Sequence, residues 1–411
     1  MQVSSPETAR AGGALESTAP RRALAGFFVS GVLLSFLGAI LPAWRHHLSS
    51  DYTTVGLYFA GLIAGLLGSV AASGKLLERK GTAWTLALAC GIAGCGFLFL
   101  AFASPPASPW WRVGGMAVIG FAAGLLHTAM FQAISPVYRH DPVATVNLAG
   151  LLFGLGCLTV ALLISGAFYA YTAAALQAWI AAIPALFGWI CVKTKFPAAK
   201  PRPAGDENRS SAPLLAELRS PAAVLLALLL FFQLGNEWAI AGWLPLFLIQ
   251  RLGISPVSSL MMLATYWLAL LIGRAAAQWV LPRIRHSRLL AGSVLASILG
   301  CTILAATNNR FGAATGILLL GGAFAPIYPL VVEKIGSRFP NFHPGFYNGV
   351  FSLAMAGGLL APCFLGYLAS QWGVRVVMGV PMAGSMVVFA LLVLIWIEAR
   401  ITTPAQSATA A

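Results

Sequence analysis

PAAVLLALLLFFQLGNEWAIAGWLPLFLI, residues 221–249, contains a single ionisable side chain, Glu237, near its middle. Roughly 20 apolar residues cross a hydrocarbon core of about 30 Å as a helix, so this stretch can span a membrane with the carboxyl at mid-depth. A charged group there costs about 2.5–3.5 kcal/mol on insertion scales, and such groups turn toward a bundle interior or a wet cavity rather than lipid. If the segment is a membrane helix, Glu237 is a candidate working group.

The rest of the chain supports that condition. Its 411 residues are 59% hydrophobic and 9% charged, with a mean hydropathy of +0.84, whereas a soluble domain carries roughly 25% charged residues. Lipid must be its main solvent. Apolar runs recur near 23–44, 52–74, 83–103, 111–134, 145–168 and 171–192, then 221–249, 257–281, 288–307, 312–333, 346–370 and 374–397. They predict an all-α integral membrane protein of twelve transmembrane helices. No segment assembles a nucleophile–base pair, a metal-ligand set or a phosphate-binding loop, so no enzyme, metal or cofactor is expected. The six cysteines lie in or near apolar runs without a CxxC pair and read as buried thiols.

A formal charge of +14 raises the question of nucleic acid, but the basic residues are scattered over short loops. Placing both termini in the cytoplasm puts nineteen Lys and Arg inside and five, Arg112 among them, outside, the asymmetry that orients membrane proteins. An inner-membrane protein with cytoplasmic termini is expected, and no nucleic-acid partner. Trp44, Trp110, Trp111 and Trp372 read as interfacial anchors.

The expected order is a disordered tail over 1–22, a six-helix half over 23–192, a cytoplasmic linker over 193–220, a second half over 221–397 and a tail over 398–411. The linker is polar and Pro-rich, KTKFPAAKPRPAGDENRSSAPLLAELRS. The halves echo each other. NLAGLLFGLGCLTVALLISG from Asn147 and NGVFSLAMAGGLLAPCFLG from Asn348 each place Gly nine residues after Asn, at Gly156 and Gly357. Duplicated halves form the solute site of many transporters at mid-membrane, so a cavity there, with Glu237 facing it, is expected.

Gln233 stands one i,i+4 step from Glu237, and Asn236 and Trp243 read as extending that face, all three as candidate solute contacts. Reversible protonation of Glu237 is one reading; a carboxylate tying two helices is the other. His127 is the second ionisable group inside a span, able to exchange a proton near pH 7 or to serve as a packed core residue. Gln132, Asn147, Tyr266, Trp267, Tyr328 and Asn348, with Tyr58, supply the aromatic faces and forked hydrogen-bonding groups that a sugar needs. Arg274, on the cytoplasmic side of its span's midpoint, reads as a gate pairing with an inner-end acid such as Glu333.

GKLLERKG, Gly74 to Gly81, reads as a cytoplasmic loop in which Gly74 permits close packing and Glu78 with Arg79 holds one conformation. Its spacing, Gly-x-x-x-acid-Arg-x-Gly, resembles the loop signature of the major facilitator superfamily, without that signature's final basic residues. With twelve spans and a central linker, the resemblance covers about residues 23–397. It implies two pseudo-symmetric six-helix halves in the major facilitator fold.

Within the superfamily the chain resembles the fucose–proton symporter branch of sugar carriers. The stretches that carry this are FFVSGVLLSFLGAILP (27–42), GLLHTAMFQAISP (124–136), VNLAGLLFGLG (146–156), GNEWAIAGWL (235–244), LIGR (271–274) and AMAGGLLAP (354–362). The branch's first-helix Asp falls on Gly38 and its fourth-helix Glu on His127, whereas Glu237 matches a branch acid. The resemblance implies a secondary transporter, monomeric in the bilayer, that imports a small neutral hydroxylated solute, a sugar, with protons. Export of a metabolite, drug or lipid-like amphiphile, an uncoupled facilitator, and a receptor without flux are the alternatives.

Overall fold

The computed structural model describes residues 6–49, 51–140, 142–196, 220–280, 283–338 and 344–408, with no strand among them. The helices are α1 (Pro6–Ile40), α2 (Tyr52–Phe102), α3 (Pro109–His140), α4 (Pro142–Ala167), α5 (Ala173–Val192) and α6 (Pro221–Leu252). They continue as α7 (Pro256–Val280), α8 (His286–Ala306), α9 (Arg310–Phe324), α10 (Ile327–Arg338), α11 (Pro344–Trp372) and α12 (Val376–Ala408). Local chemistry sets their ends. Ser220 caps α6 by accepting from the Ala223 N–H at 3.3 Å, and Gly253 ends it in the left-handed region at φ 62°. Asn309 caps α9 by accepting from the Gly312 N–H at 2.7 Å, each cap satisfying a donor that the helix leaves open.

Among the described residues, eleven helical stretches are long and apolar enough to cross a membrane. One of them, α2, has 51 residues and contains Gly81 at φ 78° and ψ 173°, where the helical path breaks. A β-carbon disfavours that conformation, and Gly has none. Counted on both sides of Gly81, α2 supplies two crossings, and the bundle has twelve. Within the tenth crossing, Ala325 and Pro326 interrupt α9–α10, because proline has no N–H to continue the ladder.

Three expectations are corrected. GKLLERKG is not a loop: α2 stays helical through Lys80 and turns only at Gly81. Residues 6–22, expected as a disordered tail, belong to α1, and residues 398–408 of the expected second tail belong to α12. Ala, Glu and Arg favour helix in both stretches, against Gly12, Gly13, Pro20 and Pro404. Of the expected linker, residues 197–219 lie outside the described residues.

By its internal contacts the chain divides into two compact units, Met1–Trp44 with Leu57–Lys200, and Arg45–Gly56 with Pro201–Ala411. In the first, α1 packs chiefly on α4 and α3. A β-carbon on Gly31 would strike the Phe153 carbonyl, and one on Gly156 the Phe28 carbonyl. In the second, α6 is the buried axis, packed on α11, α12 and α7. Here a β-carbon on Gly357 would strike the Phe231 carbonyl, and one on Gly235 would come within 3.2 Å of the Gly357 carbonyl. Lipid supplies no hydrophobic push between helices, so close backbone approach at glycine is a main source of cohesion.

Candidate functional site

Glu237 sits halfway along α6 and is 6% exposed. Gln233, one turn earlier, donates from Nε2 to its Oε1 at 3.1 Å. From α7, Arg274 brings Nη2 to 3.9 Å from Oε2, a Coulombic pair too long for a direct hydrogen bond. Tyr266, also on α7, donates its hydroxyl to the Glu237 main-chain carbonyl at 3.3 Å. Trp267 lies next to it, edge-on to Trp238 with ring centroids 6.2 Å apart. Its indole Nε1 is buried without a protein hydrogen-bond partner among the described residues. Carboxylate, amide, guanidinium, phenol and indole are thus gathered where α6 meets α7. Charged pairs this deep hold together through low local polarity, and removing either partner leaves the other uncompensated.

Arg274 therefore does not pair with Glu333. Glu333 faces His286 instead, Oε1 to Nε2 at 3.4 Å. Helical side chains lean toward the helix N-terminus, which carries the long Arg274 side chain back along α7 toward the middle of the span. The midpoint offset of its α-carbon misjudged where its charge lies.

The face expected on α6 also divides. At about 100° per residue, Gln233 lies only about 40° from Glu237, whereas Asn236 and Trp243 lie about 100–120° away and about 20° from each other. Asn236 Nδ2 donates to Ser385 Oγ on α12 at 3.4 Å, with Gly384 leaving room for the amide. Trp243, wholly buried, donates its indole N–H to the Pro362 carbonyl on α11 at 2.9 Å. These two join helices, and their polar groups are already engaged.

In the first unit, Ser30 on α1 and His127 Nε2 on α3 form a hydrogen bond. The imidazole is half-buried between Phe27 and Phe131, at 6.4 and 6.3 Å between centroids. A hydroxyl and an imidazole without an acid can donate to and accept from a neutral ligand. Gln132 is half-buried on α3 and Asn147 is buried on α4. Tyr328 is half-buried on α10, while the side chain of Asn348, on α11, lies outside the described residues. Gly74, Glu78 and Arg79 are exposed along α2, and no ion pair joins Glu78 to Arg79 among the described residues.

Sequence reasoning missed Arg112. Placed among outer-loop charges, it is 4% exposed on α3, its guanidinium carbon 5.4 Å from the Trp44 ring and 5.6 Å from that of Tyr58. Trp44 is correspondingly buried at 3% rather than interfacial, whereas Trp110, Trp111 and Trp372 are exposed as anchors would be. Aromatic faces stabilise a desolvated guanidinium, but nothing within a few residues of Arg112 announces them; Trp44 and Tyr58 come from distant parts of the chain.

The chain resembles known proteins over nearly its full length. It is 20% identical over 353 residues to an uncharacterized MFS-type transporter of Yersinia pestis, covering 86% of this chain and 89% of that one. Among solved structures, the D-xylose-proton symporter matches with a TM-score of 0.70 at 14% identity, over 92% of this chain and 96% of that one. The nucleoside transporter NupG matches at 0.67 and 13%, over 93% and 99%. The E. coli fucose:proton symporter FucP matches at 0.60 and 17%, over 92% and 98%. At these identities the likeness establishes the fold. The family profile of the Major Facilitator Superfamily matches residues 23–361, so the twelve crossings and their two units are those of a secondary transporter, and the chain belongs to the Major Facilitator Superfamily.

Proposed function

We propose that the protein imports a small, neutral, hydroxylated solute of the sugar class together with protons, by alternating access across the inner membrane with both termini cytoplasmic. The observation that carries this reading is the buried Gln233–Glu237–Arg274 constellation beside Tyr266 and Trp267. Protonating Glu237 abolishes its attraction for Arg274, so one proton can release α7 from α6, which is the kind of two-state element that coupling requires. Tyr266 and Trp267 place aromatic surface beside the switch, and Ser30 with His127 offers a second, neutral polar centre in the other unit. The names of three structural neighbours, a xylose symporter, a fucose symporter and a nucleoside transporter, support a neutral polyhydroxylated solute.

The test is uptake of labelled pentoses, hexoses and nucleosides into proteoliposomes with and without an imposed inward proton gradient. Accumulation above equilibrium only with the gradient is expected for one of these solutes. The absence of uptake for all of them removes the substrate class. One observation favours a second reading, an uncoupled facilitator: Arg274 already neutralises Glu237, and a permanent pair would carry no proton. Uptake indifferent to the gradient selects it.

A further inference from the structure

A groove between α8 and α9 plays no part in that chemistry. It is a shallow, open groove of about 530 Å³, lined by Arg288, Gly292, Ser293, Ala296, Leu318 and Gly322 among others. A β-carbon built on Gly292 or on Gly322 meets no atom within 4 Å, so each glycine leaves open a space that a side chain would fill. Leu295, Leu299 and Leu318 beside it are 53%, 54% and 52% exposed. The groove therefore opens on the apolar exterior of the bundle, where lipid chains reach it.

One end of the groove is strongly basic. RIRHSR, residues 283–288, leads into α8, and Arg283, Arg285 and Arg288 are all exposed. The ion pairs among the described residues join Glu237 to Arg274, Glu333 to His286 and Glu398 to Arg338, so none engages these three arginines. Arg283 donates instead to the Trp279 carbonyl at 3.1 Å, and Trp279, 78% exposed, is placed as an interfacial anchor would be. Arg285 occupies the N-cap of α8 without a side-chain cap, so the helix's first N–H groups point toward the same basic end.

We propose that this groove seats an anionic phospholipid, with an acyl chain along the Gly292 and Gly322 walls and the phosphate on Arg285 and Arg288. Basic pockets at helix ends recognise lipid phosphate electrostatically, while the apolar walls select a molecule that also carries a chain. Free phosphate satisfies only the first requirement.

The purified full chain is mixed with equal amounts of dioleoyl phosphatidylglycerol and dioleoyl phosphatidylcholine, and retained lipid is counted by native mass spectrometry. The expected result is one phosphatidylglycerol held in preference by about twenty-fivefold, roughly fivefold for each of the two arginines. Arg285→Gln with Arg288→Gln is expected to bring the preference below about twofold. Gly322→Leu, which fills the groove without altering charge, is expected to lower the preference for phosphatidylglycerol by a similar factor. Gly91→Leu, at another glycine with open space around it, is expected to change nothing. If Gly322→Leu does not yield folded protein, Gly292→Leu replaces it. Equal retention of the two lipids by the wild type overturns the proposal, as does a preference that survives filling of the groove.

Discussion

In the first unit α1 meets α4 where Gly156 lies over the Phe28 carbonyl and Gly31 over that of Phe153; in the second, α6 meets α11 where Gly357 lies over Phe231 and Gly235 over Gly357. The helices that make these contacts even share a signature, FFVSG at 27–31 and FFQLG at 231–235. Aligned on it, Gln233 corresponds to Val29 and Glu237 to Leu33. A similar glycine-to-carbonyl joint thus sits on a helix that carries Val29 and Leu33 in one unit and Gln233 and Glu237 in the other. The polar centre of the first unit is displaced by a residue, to Ser30, and completed from α3 by His127. The glycine contacts do not involve the carboxylate, which leaves it free for the proton chemistry proposed above.

Removing that chemistry from the second unit is expected to have the largest effect. Glu237→Gln keeps the size and the hydrogen bond to Gln233 but cannot carry a proton. Gradient-driven accumulation in proteoliposomes should fall to background, while equilibrium counterflow stays within a few-fold of wild type. Equal loss in both assays would make Glu237 a solute contact or a structural tie instead.

Arg274→Gln comes next and reads out in stability. It leaves a buried carboxylate without its counter-charge, at a cost of about 3 kcal/mol, the lower end for broken buried pairs, because the pair is already 3.9 Å apart. Thermal unfolding in detergent should show the loss, and the double variant Glu237→Gln/Arg274→Gln should recover most of it. A double variant no more stable than the single would deny that the two residues form a unit.

Gly156→Ala and Gly357→Ala test whether the two joints are as alike as they look. Each methyl meets a main-chain carbonyl that cannot move aside, and overpacking of this kind costs about 1–3 kcal/mol. Comparable shifts in unfolding temperature are expected in both, and a tolerant Gly156 beside an intolerant Gly357 would break the likeness. The smallest effect is expected from His127→Ala, a loss of transport of a few-fold at unchanged proton dependence. A loss as complete as that of Glu237→Gln would mean that the imidazole shares the proton.

Much of this was legible in the chain because two signals are strong in lipid. Apolar runs of membrane length mark the spans, and an acid within one marks a candidate site, which is how Glu237 and its neighbour Gln233 stand out. What escaped reading depended on side-chain direction and on long-range packing. Arg274 reaches Glu237 because its side chain leans back along α7, and Arg112 is buried by Trp44 and Tyr58, which are remote from it in sequence. Asn236 and Trp243 were misjudged by helical geometry alone, since 100° of rotation per residue separates them from Glu237. The fifth and eleventh spans revealed the internal echo, although FFVSG and FFQLG display it more compactly.

The break at Gly81 makes α2 unusual as a connection. Surface loops ordinarily absorb insertions because their conformation does not fix the rotation of the next helix. Here the helix runs unbroken to Lys80 and resumes after a single bent residue, so the second and third crossings are joined much as two shafts are by one universal joint. Adding a residue to GKLLERK would turn the far shaft by about 100°, carrying Cys90, Ala93 and Phe97 out of the core in which they are buried. The length of this segment is therefore a rotational setting, and a chain one residue longer there would present the wrong side of its third crossing to every neighbour.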